Sequence, residues 1–441
     1  MGAHSLRVRV AAWGSFVAFA SWAPLCQAAE EAESVERPRE ELREVAAPVP
    51  EGVPSLQMST DYAHPALGFG TYLPMGQVEA RAIRVAPFTI LAAVQTGVGY
   101  DDNVALRRGN ERGSMFYTVA PSIAVGLEGA LERYYLVYRG NYGAYASSAQ
   151  DDYADHNIAL TAANSWTTRF RTLAAYEYVK GHTPRGINSG SLNTSERWSV
   201  QSVRASASYG ADGAIGRLDG NVGHSTRRYS TNTAGAVSGE YDRLEGGAGF
   251  SYRVGPKTRA VVQIAAADIS HANDVSLDNT EMRYLVGATW EALAKTTGSV
   301  RVGYTTKDFS SARSDFSGQS YEADVSWAPQ TTSIVSVRAG RSLSESYEIW
   351  SDLVVNDVFG GGWNHLWPRG IRSTISYVHA RAHQEGLART DVYDQFGARV
   401  SYPVRRSLRV GGELRREARN SDAGGLDYTR NIMLITLETA L

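Results

Sequence analysis

Along most of this chain apolar and polar residues alternate one by one. From residue 88 to 101, Ile90, Ala92, Val94, Thr96, Val98 and Tyr100 form one series, and Gln95, Gly97, Gly99 and Asp101 the other. A period of two is that of a β-strand, whose successive side chains leave opposite faces, so each such run predicts a strand with one apolar and one polar side. The device recurs with Phe170, Thr172, Ala174, Tyr176 and Tyr178 against Arg169, Arg171 and Glu177, and with Leu244, Ala248, Phe250 and Tyr252 against Arg243, Glu245, Ser251 and Arg253. Later runs set Val300, Val302 and Tyr304 against Arg301, Thr305 and Lys307, and Leu408, Val410 and Leu414 against Arg409, Glu413 and Arg415. Marking every run predicts eighteen strands near 88–101, 116–127, 131–146, 153–165, 168–182, 196–209, 213–230, 240–254, 257–271, 281–292, 296–309, 319–328, 331–344, 351–365, 370–383, 390–402, 406–418 and 426–441.

The connections between these runs alternate between long and short. The short ones carry turn chemistry, such as Gly210-Ala211-Asp212-Gly213, Gly255-Pro256 and Pro368-Arg369-Gly370. An even number of strands with alternating connections predicts an all-β, transmembrane antiparallel β-barrel, with short turns on the periplasmic side and longer loops outside. A soluble sandwich, propeller or solenoid would alternate too. Against these stand the charge-rich polar face and the aromatics ending the apolar faces, Tyr100, Tyr134, Trp166, Tyr209, Tyr252, Trp290, Trp327 and Tyr402, placed as an interfacial girdle would be. The last run puts Met433, Ile435, Leu437, Thr439 and Leu441 on one face, the form of a closing strand.

The beginning of the chain reads differently. Arg7 and Arg9 precede an uncharged run from Val10 to Trp22, and small residues come next at Cys26-Gln27-Ala28-Ala29, the order of a secretory signal peptide over 1–29. Its apolar run is shorter than the roughly 20 residues a helical span needs, and no longer apolar stretch occurs anywhere after it. Leu25 stands where a lipid-attachment signal wants a small residue, and cleavage after Ala28 or Ala29 removes the single cysteine. Residues 30–87 predict a periplasmic tether or partial plug. Glu36-Arg37-Pro38-Arg39-Glu40-Glu41 cannot bury enough apolar surface to order itself, and Pro65, Pro74 and Pro87 interrupt any long element in the second half of the segment. The barrel is then expected over 88–441.

Composition sharpens this picture. The chain has 441 residues, with 43 Gly and 24 Tyr, an excess that suits strands and turns. Its formal net charge is −2, and only Lys180, Lys257, Lys295 and Lys307 are lysines, which argues against a nucleic-acid partner. If the polar face points inward, the lumen is lined by Arg139, Arg169, Arg171, Arg204, Arg217, Arg227, Arg243, Arg253, Arg259, Arg283, Arg301, Arg338, Arg372, Arg399, Arg409, Arg415 and Arg430. The matching acids are Glu177, Asp219, Glu245, Glu291, Glu322, Asp324, Glu413 and Glu438, a roughly twofold arginine surplus. Many of these pair across strands, and the remainder gives a positive interior that favours anionic solutes. Tyr135, Tyr145 and Tyr393 are expected to face inward, where they suit sugar stacking. Sixteen to eighteen strands leave room for an aqueous channel.

Enzyme chemistry is not expected, and neither is a cofactor or a bound metal. The nine histidines are scattered, and His379 and His383, four apart on one strand face, lie about 13 Å apart, too far for one ion. Asp274, Asp278 and Glu281 read as solvated loop carboxylates. No phosphate loop with its lysine occurs.

The hexapeptide Gly99-Tyr100-Asp101-Asp102-Asn103-Val104, closing the first strand after signal and tether, resembles the strand-one signature of the putative β-barrel porin type 2 family. The resemblance implies an outer-membrane barrel, reached by Sec-type export, of a kind associated with exopolysaccharide or capsule export. Outer-membrane lipid and periplasmic polysaccharide-export proteins are then the expected partners, with carbohydrate or small solutes in the lumen. The residues alone leave three roles open: a conduit for a secreted polysaccharide, a general or anion-preferring diffusion porin, and a plugged structural or surface-binding barrel. Asp101, Asp102 and Asn103 by themselves suit a strand end and the start of a loop.

Overall fold

The computed structural model describes residues 83–440 except 188–192, 194, 212, 232–233, 294, 346–350 and 352. The expected signal peptide and most of the expected tether therefore lie outside the described residues. Nineteen strands succeed one another: β1 Ile83–Val85, β2 Phe88–Asp101, β3 Ser114–Glu128, β4 Glu132–Tyr145, β5 Tyr153–Ser165, β6 Phe170–Thr183, β7 Glu196–Tyr209, β8 Gly216–Tyr229, β9 Tyr241–Gly255, β10 Thr258–His271, β11 Asn279–Leu293, β12 Thr296–Phe309, β13 Phe316–Gln330, β14 Ser333–Glu345, β15 Leu353–Leu366, β16 Arg372–Glu385, β17 Arg389–Arg405, β18 Leu408–Ser421 and β19 Tyr428–Ala440.

From β2 onward each strand pairs antiparallel with the next, and β19 returns to β2 through Ile432↔Asp101 to Ala440↔Ala93. The result is a closed eighteen-stranded antiparallel barrel. Closure leaves no barrel strand without a neighbour on either side, which a membrane demands because hydrocarbon offers no partner to a bare N–H or C=O. The extra strand β1 lies in the segment read as tether. It pairs Ile83 with Ile90 and Val85 with Phe88, on the part of the β2 edge that β19 does not reach.

Eight connections at one end are turns of a few residues, among them 256–257 and 406–407, and the end that carries them is the periplasmic one by the construction of such barrels. The opposite end carries the longer loops, including a short helix α1 Ala234–Ser238. One outer connection departs from the expected alternation: β16 and β17 are joined by residues 386–388 alone.

The two faces separate as the period of two dictates. Outward positions hold exposed apolar and aromatic side chains, such as Val98 and Tyr100 on β2, Val262 and Ile264 on β10, Val302 and Tyr304 on β12, and Met433, Ile435 and Leu437 on β19. Ile435 is 69% exposed, a position that makes sense only against lipid. Trp166, Tyr209, Tyr252, Trp327 and Tyr402 stand exposed near the periplasmic ends of their strands, where amphipathic rings meet the headgroups. On β13 to β17 the outward face also carries a polar ladder toward the outer end. There the Tyr321 hydroxyl donates to Asp357 at 2.8 Å, Arg341 grips the same carboxylate at 2.6 and 2.8 Å, and Asp394 accepts from Tyr377 at 2.6 Å and pairs with His379 at 2.9 Å. His379 and His383 thus face outward, away from the lumen. Between β11 and β12 the strands run so close at Gly303 that a Cβ there would collide with the Tyr284 carbonyl, so glycine is required.

Candidate functional site in the barrel lumen

Inward positions form a lining of charge pairs, because an arginine on one strand meets a carboxylate on the same strand, the next strand or the one after it. On β17 to β19, Arg399 pairs with Glu438, Arg415 with Glu413 at 2.9 Å and Glu417 at 3.7 Å, and Arg430 with Glu417 at 3.6 Å. Arg409 donates to the Ser401 hydroxyl at 3.3 Å. Across the lumen Arg243 and Arg204 share Glu245 at 3.3 and 3.4 Å, Arg301 and Arg283 share Glu322, and Arg217 holds Asp219 at 3.0 Å. Arg338 meets Asp324 at 2.6 Å. Glu177 accepts from the Asn157 amide at 2.7 Å.

Arg139, Arg171 and Arg253 occupy inward positions on β4, β6 and β9, whereas Arg169 sits in the turn before β6, at the rim. Arg171 donates to the Gly210 carbonyl at 3.2 Å. Inward positions also hold carboxylates and bases outside the expected lining, Asp101, Glu128, Glu196, Glu281, Asp391 and Glu417 against Lys307, Arg389 and Arg419, so the basic surplus is real but smaller than twofold.

The three inward tyrosines do not form one track. Tyr135 lies toward the periplasmic end, with its hydroxyl on Glu128, while Tyr145 and Tyr393 lie toward the outer mouth. Tyr393 is 3% exposed and has the Arg419 guanidinium 5.5 Å from its ring centroid; Tyr145 packs tilted on Phe116 at 5.5 Å and accepts from Arg430 at 3.5 Å. Their ring faces are occupied by neighbours.

The strand-one motif clasps the seam between the first and last barrel strands. Gly99, paired with Phe116, leaves no room for a Cβ beside that ring, and Tyr100 points outward as a girdle residue. Asp101, fully buried, receives Arg430 of β19 at 2.9 Å from Nε. Asp102 accepts from the Asn431 backbone N–H at 2.7 Å and from its amide at 2.6 Å. Asn103, also fully buried, donates to the carbonyls of Arg107 and Thr429 at 2.7 and 2.9 Å and accepts from the Arg107 N–H at 3.0 Å. Three consecutive side chains thus face lumen, seam and loop in turn.

Beyond the seam, two outer loops fold inward over the mouth. Val104, Ala105 and Leu106 are buried, and Leu106 packs with Ile187 and Tyr428. Gly186 adopts a φ of 82° where a Cβ would meet the Ala105 carbonyl at 2.6 Å, so glycine permits the close crossing of the two loops. Arg419, fully buried, donates to the carbonyls of Ile187 at 2.7 Å and Gly186 at 3.4 Å and pairs with Asp391 at 3.3 Å. Arg185 holds Asp151 from the neighbouring loop at 2.5 Å. Arg419 lies one residue beyond the predicted end of its strand and carries the inward parity, a signal that could have found it. Arg185 lies in a loop with no period to read. Among the described residues no group of three or more His, Cys, Asp or Glu could hold a metal ion.

A polar lumen inside a closed, lipid-facing barrel is the construction of a channel, and residues 77–441 match the model of the family described as Putative beta-barrel porin 2. The chain belongs to this family. The porin's place is the outer membrane, and the family is one of channels. No curated protein matches this porin in sequence. Among solved structures it is similar to OccK3 (OpdO) of Pseudomonas aeruginosa, at 14% identity, covering 80% of this chain and 96% of that one with a TM-score of 0.43. It is similar to the FrpB iron transporter of Neisseria meningitidis (F3-3 variant) at 10% identity and a TM-score of 0.43, over 75% of this chain. The porin spans 62% of the FrpB chain. A bacterial polysaccharide outer membrane secretin is similar at 10% identity and a TM-score of 0.35, covering 80% of this chain and 98% of that one.

Proposed function

We propose that this porin is an outer-membrane conduit through which a secreted exopolysaccharide or capsular polysaccharide leaves the cell. The observation that carries the reading is the lumen wall. Arginine–carboxylate pairs such as Arg415–Glu413, Arg217–Asp219 and Arg338–Asp324 line it from β8 round to β19. Such a wall offers many donors and acceptors and few apolar surfaces, so a hydroxylated chain can exchange partners along it without being held. The order of residues 1–29, read as an export signal, and the tether expected after it support delivery to the periplasm by Sec-type export before insertion, and periplasmic polysaccharide-export proteins would meet the barrel at the short turns. Deletion of the porin should abolish surface polysaccharide while its synthesis continues, and normal surface carbohydrate in the deletion strain would sink the proposal.

A second reading, an anion-preferring diffusion porin, draws on the arginine surplus. The two separate in planar bilayers: a diffusion porin conducts small ions steadily and is indifferent to added polysaccharide, whereas the conduit is blocked by its polymer. A barrel that shows no conductance steps would fit neither and would point to the plugged, surface-binding alternative.

A further inference from the structure

At the periplasmic end of the lumen the barrel breaks a rule that it observes elsewhere. Arg253 of β9 and Arg259 of β10 stand directly opposite each other across the β9–β10 hairpin, both at inward positions, and the register shifts at Thr258/Arg259 to place them there. Like charges directly opposite are destabilising in a sheet. Arg217 of β8 lies beside them, opposite Ser251, two residues before Arg253. Arg217 is satisfied by Asp219, and Arg259 donates to the Ala214 carbonyl at 2.9 Å. Arg253 is exposed, and among the described residues its guanidinium has no carboxylate partner. Arg217 and Arg259 line a small recess of about 60 Å³ that Arg301, Gln263, Thr289 and Glu291 complete, and Arg253 stands beside it as the cross-strand partner of Arg259.

We infer that this recess is an anion-binding site at the periplasmic entrance, which receives the carboxylate groups of an acidic polysaccharide as it enters the barrel. The inference rests on the conduit reading for the identity of the solute, not for the existence of the site. A planar carboxylate bridging Arg253 and Arg259 would turn a repulsive pair into two charge-assisted contacts, the fork geometry for which arginine rather than lysine is suited. Ser251 and Gln263 add neutral hydrogen-bonding groups beside it, as a sugar unit requires. Asp219 and Glu291, on the same wall, keep the site from being uniformly positive, so an acidic residue is held there but released onward.

The test uses the full-length porin in detergent and calorimetric titration with an oligogalacturonate, a malto-oligosaccharide of equal length, and inorganic phosphate. The oligogalacturonate should bind, and R253Q/R259Q should weaken it at least tenfold. R253K/R259K, which keeps the charge, should fold alike and retain part of the affinity, and R108Q, at the exposed Arg108–Asp427 pair at the outer end of the barrel, should leave it unchanged. Equal binding of the neutral oligosaccharide, or no loss in R253Q/R259Q, overturns the site. Phosphate binding as tightly as the uronate, with the same loss, overturns the saccharide assignment. Because binding in detergent needs no open pore, uronate binding without bilayer conductance would sink the conduit and leave the site. Conductance and export with no uronate binding would do the reverse.

Discussion

Asp101 illustrates how much a single side chain can hold in a barrel. It ends β2 facing the lumen, fully buried, and its partner Arg430 enters from β19, which closes the ring. Removing one member of a buried pair costs about 3–5 kcal/mol where it strands the other charge, an upper figure for Asp101 because Arg430 keeps Glu417 at 3.6 Å. Asp101→Asn should therefore lower the unfolding midpoint, read as the loss of the compact, heat-modifiable band on a gel, by more than Asp102→Asn. The latter loses one charge-assisted acceptor toward Asn431, worth about 1–3 kcal/mol. Equal midpoints for the two variants would show that the seam does not depend on the Asp101–Arg430 pair. The sequence shows Asp-Asp-Asn as a strand end, and that reading is sound. The partners Arg430, Asn431 and Thr429 lie more than three hundred residues away, and a local pattern cannot tell which strand will lie beside the first.

Elements were far more legible than partners. A strand in a barrel wall has lipid on one side and water or charge on the other, so its period is written directly in the residues, and the eighteen runs coincide with β2 to β19 to within a few residues at each end. The loops are different. Residues 186–187 are held in the mouth by Arg419 through their main-chain carbonyls and Leu106 packs against Ile187, and a carbonyl acceptor has no sequence signature. Arg419→Ala should free that contact and raise single-channel conductance or make its closures less frequent. Arg419→Lys, which keeps a cation but not the fork, should fall between. An unchanged trace in both variants would mean that the loops do not limit the path. The outward ladder makes a second prediction at this scale. Asp357→Asn leaves Arg341 on the lipid-facing side without a carboxylate. A lipid-facing arginine costs about 2–4 kcal/mol at the bilayer midplane and less toward the interface. The heat-modifiable band should be lost at a lower temperature, by an amount that reports how deep the ladder sits.

The whole molecule hides its nature in averages. Its mean hydropathy of −0.29 and 43% hydrophobic content resemble those of a soluble protein because each strand contributes one lipid face and one wet face to the same sum. Its formal charge of −2 is equally uninformative, since the inward positions carry more arginine than carboxylate while the segment 30–51 is rich in glutamate. The sign of the lumen, not of the chain, governs which ions pass. Fixed charges on the wall act over a Debye length, about 10 Å at 0.1 M salt and about 3 Å at 1 M. At low salt the surplus therefore reaches well into the water that fills the pore, and at high salt it is screened back to the wall. Reversal potentials across a KCl gradient should show chloride preferred over potassium near 0.1 M, with the preference fading toward none by 1 M. R253Q/R259Q, which removes two bases at the periplasmic entrance, should reduce the low-salt preference and leave the high-salt value where it was. A preference for potassium, or one that does not change with salt, would mean that the paired carboxylates and not the arginines set the potential along the path.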